Sequence, residues 1–188
     1  MKTIIYMVRH GESPYDEGNE RTRGLTPKGK SDIEKATGLL IGEGIDIIVS
    51  SPYTRAILSV EGLAERLKLD VKVYEDLRER HFASAIIDSA ELMSGIRESF
   101  IDLDYTLPGG ESNADCQKRA ISVLKSILTE YRGKKIAIGT HGVVMTLMMH
   151  YFDPAYDMAF LDQLSKPDIY KMTFNDLELE EVTRMWSN

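Results

Sequence analysis

Residues 4–13 read Ile-Ile-Tyr-Met-Val-Arg-His-Gly-Glu-Ser, an apolar run that ends abruptly in charged and small residues. A short, wholly apolar run is typical of a strand buried on both faces of a parallel sheet. In open α/β sheets, ligands bind beyond the carboxyl ends of such strands. Arg9 and His10 follow this strand directly, so the sequence predicts that they lie at a ligand-binding edge.

Two later segments repeat this arrangement. Residues 46–50 form an apolar strand candidate that is followed by Ser51-Pro52-Tyr53-Thr54 and Arg55. Residues 135–140 form another, followed at once by His141 and by Gly142 at the start of a very apolar helix. Because the carboxyl ends of parallel strands meet at one edge, we expect two histidines and two arginines to converge there.

The remaining segments alternate between helical and strand patterns, with a short strand expected at residues 71–74. Helices are expected to begin near Thr26, Ser51, Ser89, Ser112 and Gly142, and a hairpin to turn at Asn175-Asp176. The pattern predicts an α/β three-layer sandwich, with a mostly parallel central sheet and helices on both faces. We expect one domain over residues 1–188, with residues 80–108 as a lid or specificity segment.

The amino-acid composition argues against several classes of function. The 188 residues are 43% hydrophobic and 28% charged, and the formal net charge is −7. Without clustered Lys and Arg, binding to nucleic acid or to an anionic membrane is not expected. The longest apolar runs are too short to span a membrane. Cys116 is the single cysteine, which suits a reducing compartment, so we expect a cytoplasmic protein with Cys116 in the core.

The residue types at the predicted edge suit phosphoryl transfer. Neutral imidazole is a good nucleophile near neutral pH, and the planar fork of arginine matches phosphate geometry. A helix that begins at the same edge adds backbone N–H groups and the positive end of its dipole. A carboxylic acid is then needed to protonate the leaving oxygen and later to activate water.

Arg9-His10-Gly11 resembles the R-H-G signature of the histidine phosphatase superfamily, which includes cofactor-dependent phosphoglycerate mutases and many phosphatases. Five further segments resemble motifs of this family in the family's own order, over about four-fifths of the chain. They are Leu25-Thr26-Pro27-Lys28-Gly29, Ser50-Ser51-Pro52 leading to Arg55-Ala56, Leu77-Arg78-Glu79, Gly109-Gly110-Glu111-Ser112 and Thr140-His141-Gly142.

The resemblance implies roles for individual residues. His10 would form a phosphohistidine, and Glu79 would donate a proton to the leaving group and then act as general base. The phosphate pocket would be completed by Arg9, Arg55, the catalytic His141 and the amide of Gly142. The family needs no metal, and the sequence offers no cluster with metal-ligand spacing, so we expect neither a metal nor another cofactor.

Two segments depart from the family pattern. An asparagine often follows R-H-G-x-[ST] closely, whereas residues 14–18 here hold none. The corresponding phosphate contact is either missing or supplied by Asn19 or Arg23. After Glu79 the chain reads Arg80-His81-Phe82-Ala83, where many members have an aromatic residue and then glycine.

Three functions remain open at this stage. A metal-independent phosphomonoester hydrolase is favoured, because a short lid over residues 80–108 would admit water to a phosphohistidine. A phosphoglycerate mutase is the alternative, since residues 79–82 resemble the mutases' E-R-H-Y and residues 97–100 faintly resemble their R-R-S-[FY]. The third is a weakly active module that binds a phosphorylated ligand. The partner would be a small phosphorylated molecule of undetermined identity, and the oligomeric state is undetermined.

Overall fold

The computed structural model describes residues 1–84 and 87–187, and a six-stranded sheet runs through this part of the chain. The strands are β1 (Lys2–Arg9), β2 (Ile47–Ser50), β3 (Val71–Val73), β4 (Lys135–Thr140), β5 (Asp168–Asn175) and β6 (Glu178–Arg184). Their order across the sheet is β3-β2-β4-β1-β5-β6. The first four are parallel, whereas β5 and β6 are antiparallel to their neighbours, which confirms a largely parallel sheet.

Helices cover both faces of this sheet. They are α1 (Pro27–Leu40), α2 (Thr54–Leu67), α3 (Ser89–Ile101), α4 (Asn113–Glu130), α5 (Gly142–Phe152) and α6 (Met158–Gln163). Side chains alternate along β1, so Ile5 and Met7 pack with the core beneath α4 and α5. Tyr6 and Val8 pack with the core beneath α1 and α2. The expected α/β architecture with helices on both faces is therefore confirmed.

Local signals account for several element boundaries. The Thr26 hydroxyl accepts a hydrogen bond from the amide of Gly29 over 3.0 Å and caps α1, with Pro27 at its first position. The Ser112 hydroxyl caps α4 in the same way, over 3.0 Å from the amide of Asp115. The expected hairpin turns where Asp176 takes a positive φ of 56°.

Two features differ from the sequence-based expectations. The second helix begins at Thr54 and not at Ser51, because the amide of Ser51 still donates to Gly139 of β4 over 3.0 Å. Helix α6 was not expected at all. Its six residues are too few to show a helical period, and all of them remain at least partly exposed.

Helix α3 lies within the segment 80–108, and the Asp88 side chain caps its N-terminus. Residues 85 and 86 of this predicted lid lie outside the described residues.

Cys116 lies in the core on α4, fully buried, and burial raises the pKa of its thiol. None of the helices in residues 1–84 and 87–187 is long and apolar enough to cross a membrane.

Candidate active site

The structure brings the two predicted histidines together at the carboxyl edge of the sheet. His10 follows β1 and His141 follows β4, and these strands are parallel neighbours. The amide of His10 donates to the carbonyl of Thr140 over 3.0 Å, which continues the pairing past the strand ends. The two imidazole rings meet edge to face, with their centroids 5.3 Å apart.

His10 is held in one orientation by its own backbone. Its Nδ1 lies 2.7 Å from the carbonyl oxygen of Gly11, which can only accept, so Nδ1 carries the proton. Nε2 is then unprotonated and accepts a hydrogen bond from Nε of Arg55 over 3.2 Å. Burial, followed by the charge of Arg55, lowers the pKa of His10 well below its ordinary value. The neutral imidazole, unprotonated at Nε2, is therefore the stable form.

Arg55 comes from the first turn of α2 and is 1% exposed. Its Nη1 donates to the carbonyl oxygen of Glu20, and its Nη2 donates to the Glu20 carboxylate over 3.1 Å. The guanidinium carbon also lies 5.0 Å from the ring centre of Tyr53. Burial, then the neighbouring charge of Arg23, lowers the pKa of Arg55 from its ordinary value.

Arg23 is a third guanidinium in this cluster. It is 8% exposed and lines the same cavity as His10, with Nη1 donating to the Ser13 hydroxyl over 2.7 Å. Asn19 does not line that cavity; its side-chain oxygen instead accepts from the amides of Arg21 and Thr22 within its own turn. Of the two candidates, Arg23 alone faces the site.

Glu20 joins the two arginines. Its carboxylate accepts from Nε of Arg23 over 3.0 Å and from Nη2 of Arg55 over 3.1 Å. Burial raises the pKa of this carboxyl, but the hydrogen bonds and charges of Arg23 and Arg55 outweigh that effect and hold the pKa below its ordinary value. A carboxylate thus lies against the arginine pair in the structure.

Arg9 approaches the start of α5 from the other side. Its Nη1 donates to the carbonyls of Leu164 and Ser165 over 2.9 and 3.2 Å. A Cβ atom at Gly142 would come within 2.8 Å of Nη2 of Arg9, so only glycine allows this approach. Buried Asp168 accepts from the amide of Ser165 over 3.0 Å and fixes the loop that holds Arg9.

His141 is fully buried beside His10. Its Nε2 lies 2.7 Å from the hydroxyl of Ser51, which follows β2. Nδ1 is buried and has no hydrogen-bond partner among the residues that the structure describes. Burial, followed by the neighbouring His10 and Arg55, lowers the pKa of His141 well below its ordinary value. Nδ1 is thus the unpaired polar atom of the ring.

Glu79 lies at the N-terminus of α5 and lines the cavity that contains His10. Its carboxylate accepts from the amides of Val143 and Val144 over 3.1 and 2.9 Å, and from the amide of Arg80 over 2.9 Å. Two of these amides belong to the first turn of α5 and the third to the residue after Glu79, so they fix the position of the carboxyl group at the start of the helix. The structure therefore brings Glu79 to the same site as His10 and holds it against the helix.

The segment Gly109-Gly110-Glu111-Ser112 supports the loop that carries Glu79. The amide of Glu111 donates to the carbonyl of His81 over 2.7 Å, and a Cβ at Gly110 would come within 2.1 Å of the Phe82 carbonyl. Arg119 ties the two segments together, since it pairs with the Glu111 carboxylate at 2.6 Å and donates to the carbonyl of Glu79 over 3.3 Å.

Residues 5–182 match the histidine phosphatase superfamily, branch 1. The chain belongs to this superfamily. Among curated relatives, a bifunctional protein of Mycobacterium tuberculosis is 28% identical over 157 residues, which are 78% of this chain and 43% of that protein. The chain thus spans less than half the length of this relative. A probable phosphoglycerate mutase of Salmonella typhi is 26% identical over 154 residues, 75% of this chain and 70% of that protein.

Solved structures show the same fold. A mycobacterial glucosyl-3-phosphoglycerate phosphatase superposes with a TM-score of 0.77 at 20% identity, over 98% of this chain and 97% of that one. A phosphoserine phosphatase of Entamoeba histolytica, solved with 3-phosphoglyceric acid, superposes with a TM-score of 0.79 at 20% identity, over 98% of each chain. The phosphoglycerate mutase-like fold expected from the sequence is therefore shared with phosphatases.

The site of this histidine phosphatase superfamily member opens into a cavity of about 1040 Å³. The cavity is lined by five residues expected from the sequence, Arg9, His10, Arg55, Glu79 and Gly142. His141 is fully buried next to His10 and does not line it. Sequence reasoning missed Glu20, and it assigned no role to Asp168 or Ser165. Within residues 1–84 and 87–187, no group of three His, Cys, Asp or Glu side chains is placed to hold a metal ion.

Proposed function

We propose that this protein is a metal-independent phosphomonoester hydrolase that works through a phosphohistidine on His10. The observation that carries the proposal is the state of Nε2 of His10, which is unprotonated, buried and 3.2 Å from Nε of Arg55. Once an incoming phosphoryl group displaces the Arg55 hydrogen bond from this atom, the imidazole can attack phosphorus without first losing a proton. The adjacent guanidinium is placed to attract the anionic substrate to the attacking atom.

In the first step, Nε2 of His10 attacks phosphorus, the N–P bond forms and the bond between phosphorus and the leaving oxygen breaks. Arg9 and Arg55 would stabilise charge on the remaining phosphoryl oxygens, together with Nδ1 of His141 and the amide of Gly142. Glu79 would supply the proton that the leaving oxygen takes up. The products of this step are a free alcohol and phosphohistidine.

In the second step, water attacks phosphorus while the N–P bond breaks. Glu79, now ionised, would accept a proton from this water, which restores the acid needed for the next cycle. Inorganic phosphate then leaves, and Nε2 of His10 regains its electron pair. The cycle consumes one phosphomonoester and one water, and it releases one alcohol and one phosphate.

A phosphoglycerate mutase is the second candidate, favoured by the likeness to the Salmonella protein. The two arginines that resemble mutase motifs do not line the cavity. Arg80 is 2% exposed and donates to the side chains of Ser99 and Asn113, whereas Arg97 pairs with Asp162 at 3.1 Å. Because neither arginine lines the cavity, where it could hold a second acidic group of the substrate, hydrolysis is the better-supported reaction.

The test is inorganic phosphate release from a panel of phosphomonoesters without added metal, comparing wild type with His10→Ala. The panel includes 3-phosphoglycerate, with a check for 2-phosphoglycerate when 2,3-bisphosphoglycerate is present. Release that His10→Ala abolishes is the expected result. Isomerisation without release would establish the mutase, and neither reaction would leave a module that binds phosphorylated ligands.

A further inference from the structure

The cavity that contains His10 has two chemically different ends. The end at the sheet edge holds His10, three guanidinium groups and the start of α5. The other end is formed by α3 and α6 together with Phe82 and Leu164. In a phosphomonoester, the phosphoryl group and the rest of the molecule lie on opposite sides of one oxygen. The second end therefore meets the leaving group.

The wall of this second end is almost wholly apolar. Helix α3 contributes side chains at positions i, i+1 and i+4, and α6 contributes side chains at positions i and i+3, so each helix presents one apolar face. The wall consists of Phe82, Leu92, Met93, Ile96, Met158, Leu161 and Leu164. Met93 is 41% exposed, so a large thioether side chain is available to a ligand.

None of the seven wall residues is a cation. Asp162, next to Leu161 in the chain, also lines the cavity and pairs with Arg97 at 3.1 Å. Of the lysines that line the cavity, Lys28 and Lys35 pair with Asp32 at 2.6 and 2.8 Å, and Lys166 donates to the Tyr15 hydroxyl over 3.0 Å. A carboxylate in the leaving group would lie beside apolar side chains and an acidic residue, at an electrostatic cost.

We propose that the apolar wall is a leaving-group subsite for alkyl or aryl groups, so that the preferred substrates are phosphomonoesters of apolar alcohols. That the phosphoryl group binds at the end that contains His10 rests on the proposed function. The wall excludes the carboxylate-bearing leaving groups of phosphoglycerate and phosphoserine. Apolar contact is the main source of selectivity in such a pocket, since each fully buried methylene improves binding about fourfold.

The first test measures binding, which does not depend on turnover. Calorimetry with ethylphosphonate, hexylphosphonate and 2-carboxyethylphosphonate compares the same phosphonate head with three different tails. We expect hexylphosphonate to bind at least about 10-fold more tightly than ethylphosphonate, because part of its longer tail is buried. 2-Carboxyethylphosphonate should bind the most weakly. Equal affinities, or a preference for the carboxylate, would overturn the proposal.

Two matched variants of α3 test whether the subsite lies on the apolar wall. Met93→Ser removes a thioether from the cavity, and Ile101→Ser changes an 80% exposed side chain of the same helix that does not line the cavity. Met93→Ser should reduce the ratio of hexyl- to ethylphosphonate affinity about threefold or more, while Ile101→Ser should leave it unchanged. An equal effect of both variants, or of neither, would overturn the location.

The second test is hydrolysis of ethyl, butyl and hexyl phosphate, whose primary alcohols are leaving groups of similar intrinsic reactivity. We expect kcat/KM to increase with chain length. Selective phosphonate binding without hydrolysis of any ester would contradict the proposed function and leave the subsite supported. Hydrolysis without dependence on the tail would overturn the subsite alone, and failure to bind any phosphonate would overturn both.

Discussion

Nε of Arg55 donates a hydrogen bond to Nε2 of His10 over 3.2 Å, so one guanidinium contacts the very atom that would attack phosphorus. Both side chains are almost completely buried, at 1% and 5% exposure. A positive charge fixed at this position keeps a proton off Nε2 and attracts an anion to it. The site thus combines an unprotonated imidazole nitrogen with a positively charged environment.

Arg55→Lys tests this relationship. Lysine keeps the charge but has a single nitrogen, so it cannot reach Nε2 of His10 and hold an anion at the same time. We expect kcat/KM for a phosphomonoester to fall by about 100-fold to 1000-fold, as when one oxyanion donor is removed. Arg66→Lys, an exposed position on the same helix, is the control and should change little. Equal activity of both variants would contradict the role of Arg55.

Glu79→Gln separates proton donation from support of the helix. If Glu79 protonates the leaving oxygen, the variant should lose roughly 100-fold or more in kcat for an alkyl phosphate. It should lose much less for p-nitrophenyl phosphate, whose leaving group departs without a proton. Glu75→Gln, four residues earlier and exposed, is the matched control. A similar loss on both substrates would show that Glu79 only caps α5.

Glu20→Gln tests the carboxylate that lies against Arg23 and Arg55. A phosphate bound to these arginines would lie close to the negative charge of the Glu20 carboxylate. Removing that charge should therefore strengthen phosphate binding. We expect inorganic phosphate to inhibit about fivefold more strongly, which corresponds to roughly 1 kcal/mol for a partly exposed ion pair. Glu17→Gln, on the same loop, provides the control. Unchanged or weaker inhibition by phosphate would mean that Glu20 orders the arginines and does not compete with the ligand.

Stability should depend on pH through His10. Because burial and then Arg55 lower the pKa of His10 well below its ordinary value of 6.5, the unfolded chain binds a proton there that the folded protein does not. The stabilisation is complete above pH about 6.5 and is lost as pH falls toward the folded pKa. Relative to His10→Gln, the free energy of unfolding of the wild type should drop by roughly 1 kcal/mol between pH about 7.5 and about 5.5.

Urea unfolding of both proteins at the two pH values measures this difference. Apart from His141, whose pKa responds to His10, the other titrating groups are common to the two proteins, so their contributions cancel in the comparison. A difference that stays constant with pH would show that His10 takes up its proton equally in the folded and unfolded states.

The strand ends could be predicted because their signal is local. An apolar run that stops at Arg9-His10, or at His141-Gly142, marks both a buried strand and the edge where it ends. The caps at Thr26 and Ser112 are equally local, since a hydroxyl reaches an amide three residues later. Parallel pairing then brings the histidines together without further information.

The contacts that complete the site could not be predicted, because they join segments distant in sequence. Glu20 meets Arg55 across 35 residues, from a loop without periodicity. The carbonyl of Ser165 meets Arg9 across 156 residues, from a turn that buried Asp168 fixes. The choice between Asn19 and Arg23 also depended on the loop's path, which turns the Asn19 side chain onto its own backbone.

The central claim is that phosphate passes through Nε2 of His10, and rapid quenching during turnover tests it most directly. The protein is mixed with a phosphomonoester, quenched in alkali, in which phosphohistidine is stable, and analysed by peptide mass spectrometry. The account predicts one phosphoryl group on the peptide that contains His10, lost on acid treatment and absent in His10→Ala. Continued phosphate release by His10→Ala, or a phosphoryl group on any other residue, would contradict it.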